Sequence, residues 1–75
     1  MKLHQPYNIE LRDVLRLRRE ELGVTQDQLA ERLGISAMGL SHFEVGRRDL
    51  KLITLEKIAN ELGMEVEITF TLNTQ

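Results

Sequence analysis

Residues 24–46 read Val-Thr-Gln-Asp-Gln-Leu-Ala-Glu-Arg-Leu-Gly-Ile-Ser-Ala-Met-Gly-Leu-Ser-His-Phe-Glu-Val-Gly, and two helix starts are written into them. Thr25 is a good N-cap, and Gln28 follows three residues later to close a capping box. Val24 and Leu29 stand where a hydrophobic staple places its two halves. Gly34 ends this first helix near Leu33. Ser36 then caps a second helix, with Ile35 and Leu40 as its staple, and that helix runs to about Glu44 before Gly46 stops it.

Working outward from this segment, residues 1–8 read as an arm, with Pro6 interrupting regular structure. Asn8 is the N-cap of a helix from about Ile9 to Leu22, which Gly23 stops, and Leu11, Val14, Leu15 and Leu22 recur on one of its faces. A fourth helix runs roughly from Lys51 to Leu62, with Leu52, Leu55, Ile58, Ala59 and Leu62 on one face and Gly63 as its left-handed stop. Its start is poorly marked, Asp49 being the nearest good cap. After Gly63 the period changes from 3.6 to 2. Met64, Val66, Ile68, Phe70 and Leu72 alternate with polar residues, as in a half-buried strand over 64–72. A lone strand leaves its backbone groups unpaired, and a second copy of the same strand is a better partner than the short, weakly patterned arm. The organisation is one domain over 1–75: arm 1–8, helical core 9–62, dimerisation strand 64–72.

The chain of 75 residues is too short for a second core, and it has no cysteine for a disulfide or a thiolate metal site. No charged-then-apolar leader opens it, and no apolar run approaches the about 18 residues of a membrane span. A cytoplasmic protein away from the membrane is expected. The formal net charge of −2 is awkward for a nucleic-acid partner. Its distribution softens the objection: residues 1–59 hold all ten Lys and Arg against nine acids, whereas residues 60–75 hold three acids and no cation.

Two short helices with a few residues between them have the local geometry of a helix-turn-helix. Leu29, Ala30, Leu33, Gly34, Ile35, Leu40 and Phe43 match the pattern of the phage repressor/Cro-like (XRE-type) helix-turn-helix family, which the chain resembles without gaps from about Leu15 to Gly46 and in outline to Leu62. The resemblance implies an all-α core: a four-helix lambda-repressor-like domain, here followed by one C-terminal β-strand that pairs across a dimer. It implies a structural ion pair between Arg19 and Glu44. A helical wheel puts Arg18 and Arg19 alike at the margins of the apolar face, so only the resemblance selects Arg19. It places Gln26, at the start of the second helix, on a DNA phosphate, where free N–H groups attract an anion. Arg47 and Arg48 fall where family members put basic phosphate contacts, with Lys51 close by and Arg16 as a further candidate. Positions 37, 38 and 42 match the base-contacting sites, and there the sequence departs from the usual polar residues. Ala37 and Met38 offer only apolar contact to a thymine methyl, His42 can donate to a guanine or a phosphate, and Ser41 adds a hydroxyl. Gly39 weakens the helix by ~1 kcal/mol relative to alanine; it either permits close approach to DNA or is simply tolerated. The four-helix core followed by Gly-Met-Glu-Val-Glu-Ile-Thr-Phe also resembles toxin–antitoxin antitoxins of the HipB kind, which would add a toxin protein to the partners.

An enzyme is not expected. His4 and His42 stand apart from acids at ligand spacing, Ser41-His42 beside Asp49 is a coincidence, and no phosphate-binding glycine motif is present, so neither metal nor cofactor is called for. Two functions remain open. One is a sequence-specific DNA-binding transcriptional regulator, a repressor or the antitoxin of a toxin–antitoxin pair, acting as a homodimer on double-stranded DNA. The other is a protein-interaction module that keeps the fold without specific DNA binding. Negative charge, Ala37, Met38 and Gly39 favour the second; Gln26, Arg16, Arg47, Arg48 and Lys51 favour the first.

Overall fold

Both helix starts form as written. In the computed structural model, which describes residues 6–67 and residue 72, the N–H of Gln28 donates to Thr25 Oγ1 at 3.1 Å and the N–H of Thr25 to Gln28 Oε1 at 2.9 Å. The N–H of Gly39 donates to Ser36 Oγ at 3.1 Å. These caps open α2 (Gln26–Leu33) and α3 (Ala37–Glu44); α1 (Pro6–Glu21) precedes them and α4 (Leu52–Glu61) follows. Between α2 and α3 the chain turns on Gly34, whose φ of +68° is costly for any residue with a Cβ.

The core lies where the four helices meet. Leu29, Leu40, Phe43, Leu55, Ile58 and Leu62 are almost wholly buried, with Leu15, Ala30 and Ala59 beside them. α2 packs on both α3 and α4, and α1 packs on α3. Val24 and Ile35, the outer halves of the two staples, pack against this cluster as their spacing requires.

α1 departs from expectation in two ways. It begins at Pro6 rather than Ile9, because a first-turn proline gives up only an N–H that would lack a helical partner anyway. Asn8 is therefore inside the helix, not its cap. It is completely buried and pairs with one backbone residue of the α3–α4 connection: Nδ2 donates to the Leu50 carbonyl at 3.0 Å and Oδ1 accepts from the Leu50 N–H at 2.8 Å. Asn8, Arg12, Leu15 and Arg19 recur at helical spacing, and this mixed polar–apolar face is the one α1 turns inward. Val14 and Leu22, expected in the core from periodicity, are consequently 45% and 44% exposed.

The arginines of α1 close the ends of other helices. Arg12 Nε donates to the Phe43 carbonyl in the last turn of α3 at 2.8 Å, and Arg18 Nε to the Leu62 carbonyl just past α4 at 3.1 Å. Both carbonyls belong to helix ends that lack helical donors. Arg19 grips Glu44 with two parallel bonds, Nε to Oε2 and Nη2 to Oε1, each 2.8 Å, while Nη1 donates to the Val24 carbonyl at 2.8 Å. The hydrogen bonds that Arg19 donates to Glu44 raise its pKa above the ordinary value despite burial. A raised guanidinium pKa contributes stability at every pH below the unfolded value, so this contribution is constant wherever the protein operates.

The expected strand falls largely outside the described residues. Residues 64–67 carry no regular secondary structure in the single chain. Met64 packs against the core and its N–H donates to the Ala59 carbonyl at 2.8 Å, whereas Val66 and Leu72 are exposed. Ile68 and Phe70 lie outside the described residues.

Two stability experiments follow from the buried polar groups. Glu44→Ala or Arg19→Met alone leaves a desolvated charge without its partner and should cost ~3–5 kcal/mol in urea unfolding, while an apolar replacement of both should cost far less. Equal losses of ~0.5 kcal/mol or less would mean that the pair is effectively solvated. Asn8→Ala leaves the Leu50 N–H and carbonyl unsatisfied, at ~1–3 kcal/mol. Hydrogen exchange should report it as lost protection at the Leu50 amide, and an unchanged amide would show that Asn8 does not hold that connection.

Candidate nucleic-acid interface

α3 has a core side and an outer side. Leu40, Phe43 and Glu44 point into the protein, whereas Met38 is 68% exposed and Val45, just past the helix, 65% exposed. Ser41 and His42 flank Met38 and are each half-buried. Ala37 is turned further inward and packs partly on the core. The structure thus brings Met38, Ser41 and His42 onto one accessible face, with Ala37 at its edge. Ser36 holds the front of this helix, and Arg12 and Arg19 hold its rear through Phe43 and Glu44.

The cations divide into two groups. Arg47, Arg48 and Lys51 are exposed on the connection from α3 to α4, and among the described residues they make no hydrogen bond or ion pair through their side chains. Arg16 differs: its guanidinium lies 3.4 Å from Asp13 and 3.2 Å from Glu20 on its own helix, so its charge is already shared between two carboxylates.

Gln26 stands at the first position of α2, and one N–H of its side-chain amide is already engaged within the protein. Nε2 donates to Glu44 Oε1 at 2.7 Å. The first backbone N–H groups of α2 still lack helical partners, and these remain the anion-attracting feature of that end.

Sequence reasoning took Asn8 for a helix cap and missed Arg12. Asn8 fixes Leu50 through two hydrogen bonds, and Arg12 adds the Phe43 carbonyl and a 3.7 Å approach to Asp49. The Arg12 guanidinium also lies 5.9 Å from the Phe43 ring centroid and passes close to Gly46, where a Cβ would come within 3.3 Å of Nη1. Together they tie down both flanks of the basic connection. The signal was present as an Asn and an Arg four residues apart on the face that carries Leu15 and Arg19.

Comparison with known proteins fits this geometry. A family model described as helix-turn-helix matches residues 15–68. An uncharacterised HTH-type transcriptional regulator of Methanothermobacter thermautotrophicus is 41% identical over 64 residues, covering 84% of this chain and 93% of its own. A second such regulator, y4dJ of Sinorhizobium fredii, is 47% identical over 49 residues, 65% of this chain and 62% of its own. Among solved structures, a HipA–HipB–O2–O3 complex contains a chain that superposes with a TM-score of 0.71 at 28% identity, over 96% of this chain and 99% of that one. A HipB–O4 20-mer complex gives 0.72 at 26% identity, over 96% and 99%. Capped α2 and α3, the buried Arg19–Glu44 pair and the match over most of the chain agree: the chain belongs to the helix-turn-helix family of transcriptional regulators.

Proposed function

We propose that this protein is a DNA-binding transcriptional repressor that acts as a homodimer and is the antitoxin partner of a toxin protein. The observation that carries the proposal is the outer face of α3. Met38, Ser41 and His42 are presented there on a helix held at both ends, beside three exposed cations without carboxylate partners among the described residues. α3 lies in the major groove, where Met38 meets a thymine methyl and His42 donates to a base or phosphate. Ala37 contributes less, because its short side chain packs partly on the core. Arg47, Arg48 and Lys51 meet phosphates, and the open N–H groups of α2 at Gln26 meet another. Arg16 is a weaker phosphate candidate, since two carboxylates already face it. With so few hydrogen-bonding side chains toward the bases, DNA shape and phosphate contacts carry much of the recognition.

The likeness to HipB, which one of the matched structures holds in complex with HipA, supports the antitoxin role. The dimer rests on residues 64–72. Two such strands pairing about a two-fold axis satisfy each other's inner edges and lay Met64, Val66, Ile68, Phe70 and Leu72 on the two helical cores. A two-fold dimer also presents its α3 helices to successive major grooves about 34–36 Å apart. Among the described residues no helix is long and apolar enough to cross a membrane, and the proposed site of action is the cytoplasm. The rival function, an interaction module without specific DNA binding, draws support from the apolar side chains of Met38 and Val45 on the outward surface.

A binding titration over several salt concentrations, on the duplex upstream of the gene and on a scrambled duplex, separates these functions. Arg47→Ala and Lys51→Ala should weaken binding to both duplexes alike and flatten the log–log salt slope by roughly one unit each. Met38→Ala and His42→Ala should change base preference, at ~1–3 kcal/mol for the contacted base pair, with the slope kept unless His42 meets a phosphate. Wild-type protein binding neither duplex at low salt would favour the interaction module. For the dimer, light scattering should give a dimer's mass for the full chain and a monomer's for a chain ending at Gly63; an unchanged oligomeric state after truncation would remove the strand from the interface.

A further inference from the structure

Gly39 sits in the first turn of an eight-residue helix, where glycine is the weakest helix former after proline. Its backbone does not require glycine. The glycines with positive φ are 23, 34, 46 and 63, and Gly39 is not among them. Its N–H is satisfied by Ser36 Oγ, a bond that any residue could make. What Gly39 supplies is room. A Cβ at this position would lie 3.0 Å from Arg48 Nη1 and 3.7 Å from Arg48 Cζ. Gly39 is buried although it belongs to a half-exposed helix, and Arg48 is the nearest group over it. Arg48 is exposed as a residue, yet the end of its side chain lies close to the helix. It folds back from the α3–α4 connection and lays its guanidinium against the opening turn of α3. Gly39 is three residues before His42, so this seat borders the accessible face of the helix. The cation placed there has no carboxylate to neutralise it among the described residues.

We propose that Gly39 is a seat for Arg48: the missing side chain lets the guanidinium lie on the first turn of the recognition helix, which positions it to meet the DNA backbone. This inference rests on DNA binding by the outer face of α3. Gly39 is a positioning residue, and its lack of a side chain acts through Arg48 rather than through contact with DNA. An alanine there displaces only the far end of a flexible side chain, so the fold tolerates it, and the helix gains from a better helix former.

The consequence is a pair of effects with opposite signs. In the full-length protein, Gly39→Ala should raise the melting temperature. It should also weaken binding to the upstream duplex several-fold and lower the salt slope, each by no more than Arg48→Ala does. The double variant Gly39→Ala/Arg48→Ala should bind like Arg48→Ala alone. Three results would overturn the proposal: Gly39→Ala binding with wild-type affinity and slope, losses that multiply in the double variant, or an altered base preference with the slope kept. The second and third would mean that Gly39 itself faces the DNA. The wild-type control distinguishes the levels. If wild type binds with a steep salt dependence and Gly39→Ala matches it, only the seat fails. If wild type binds no duplex at low salt, DNA binding and the seat fail together.

Discussion

At the last turn of α3, Glu44 uses both carboxylate oxygens: Arg19 of α1 holds one with Nε and the other with Nη2, and Gln26 of α2 adds a bond to Oε1. Three helices thus meet on one side chain that is only 3% exposed. Taking both charges out of water costs much of what their attraction returns, so the pair is a modest source of net stability. It is a strong penalty on misplacement, because any shift that separates the partners leaves a buried charge alone. Apolar packing tolerates small slides and repacking; a two-pronged grip does not. The angle at which α3 stands against α2, and hence the direction of its outer face, follows from this carboxylate.

The same economy explains how a chain of net charge −2 can address a polyanion. Arg12, Arg18 and Arg19 face the carboxylates of Asp49, Glu21 and Glu44, and Arg16 faces two surface carboxylates. These cations contribute to the fold and little to the field outside it. Arg47, Arg48 and Lys51 have no such partners among the described residues, and they cluster where the chain leaves α3. Local charge at the approach of a ligand matters more than the sum over the chain. Asn8 gives this arrangement its stiffness, since it holds Leu50 by both backbone groups and so anchors the connection that bears the cations.

The parts of the fold legible in the sequence are those governed by local rules. Thr25 with Gln28, Ser36, and the glycine stops at Gly34 and Gly63 act within a few residues, and they placed α2, α3 and the end of α4 nearly to the residue. What failed was non-local. Asn8 is a good cap by type, but its partner is Leu50, 42 positions away, and no local pattern points there. Val14 and Leu22 fit an apolar stripe, yet α1 rotates to bury Asn8, Arg12 and Arg19, whose hydrogen bonds outweigh two exposed aliphatic side chains. In the candidate site, resemblance singled out Arg19 and Glu44 correctly where the wheel left Arg18 equal to it. The wheel was not misled about Arg18, which is also engaged, with the Leu62 carbonyl. The second role of Gln26, as a donor to Glu44, needed three-dimensional proximity that spacing does not encode.

A helix of eight residues with a glycine inside it does not persist alone, because nucleation is costly and few hydrogen bonds follow. α3 is therefore held by groups at its ends and on its inner side: Ser36 at the front, Arg12 on the Phe43 carbonyl, Arg19 on Glu44, and Leu40 and Phe43 in the core. None of these is on the outer face. Met38, at 68% exposure, lies outside the core and takes no part in holding the helix. The supporting groups and the outer face thus belong to different residues of the same short helix. A replacement at position 38 alters what the face can touch and leaves the clamp intact, whereas a replacement at position 44 removes the clamp and the face with it. This separation is why an apolar residue, Met38, can stand on the outer face while the groups that hold the helix stay in place, and why the chemistry of that face can change without changing the fold.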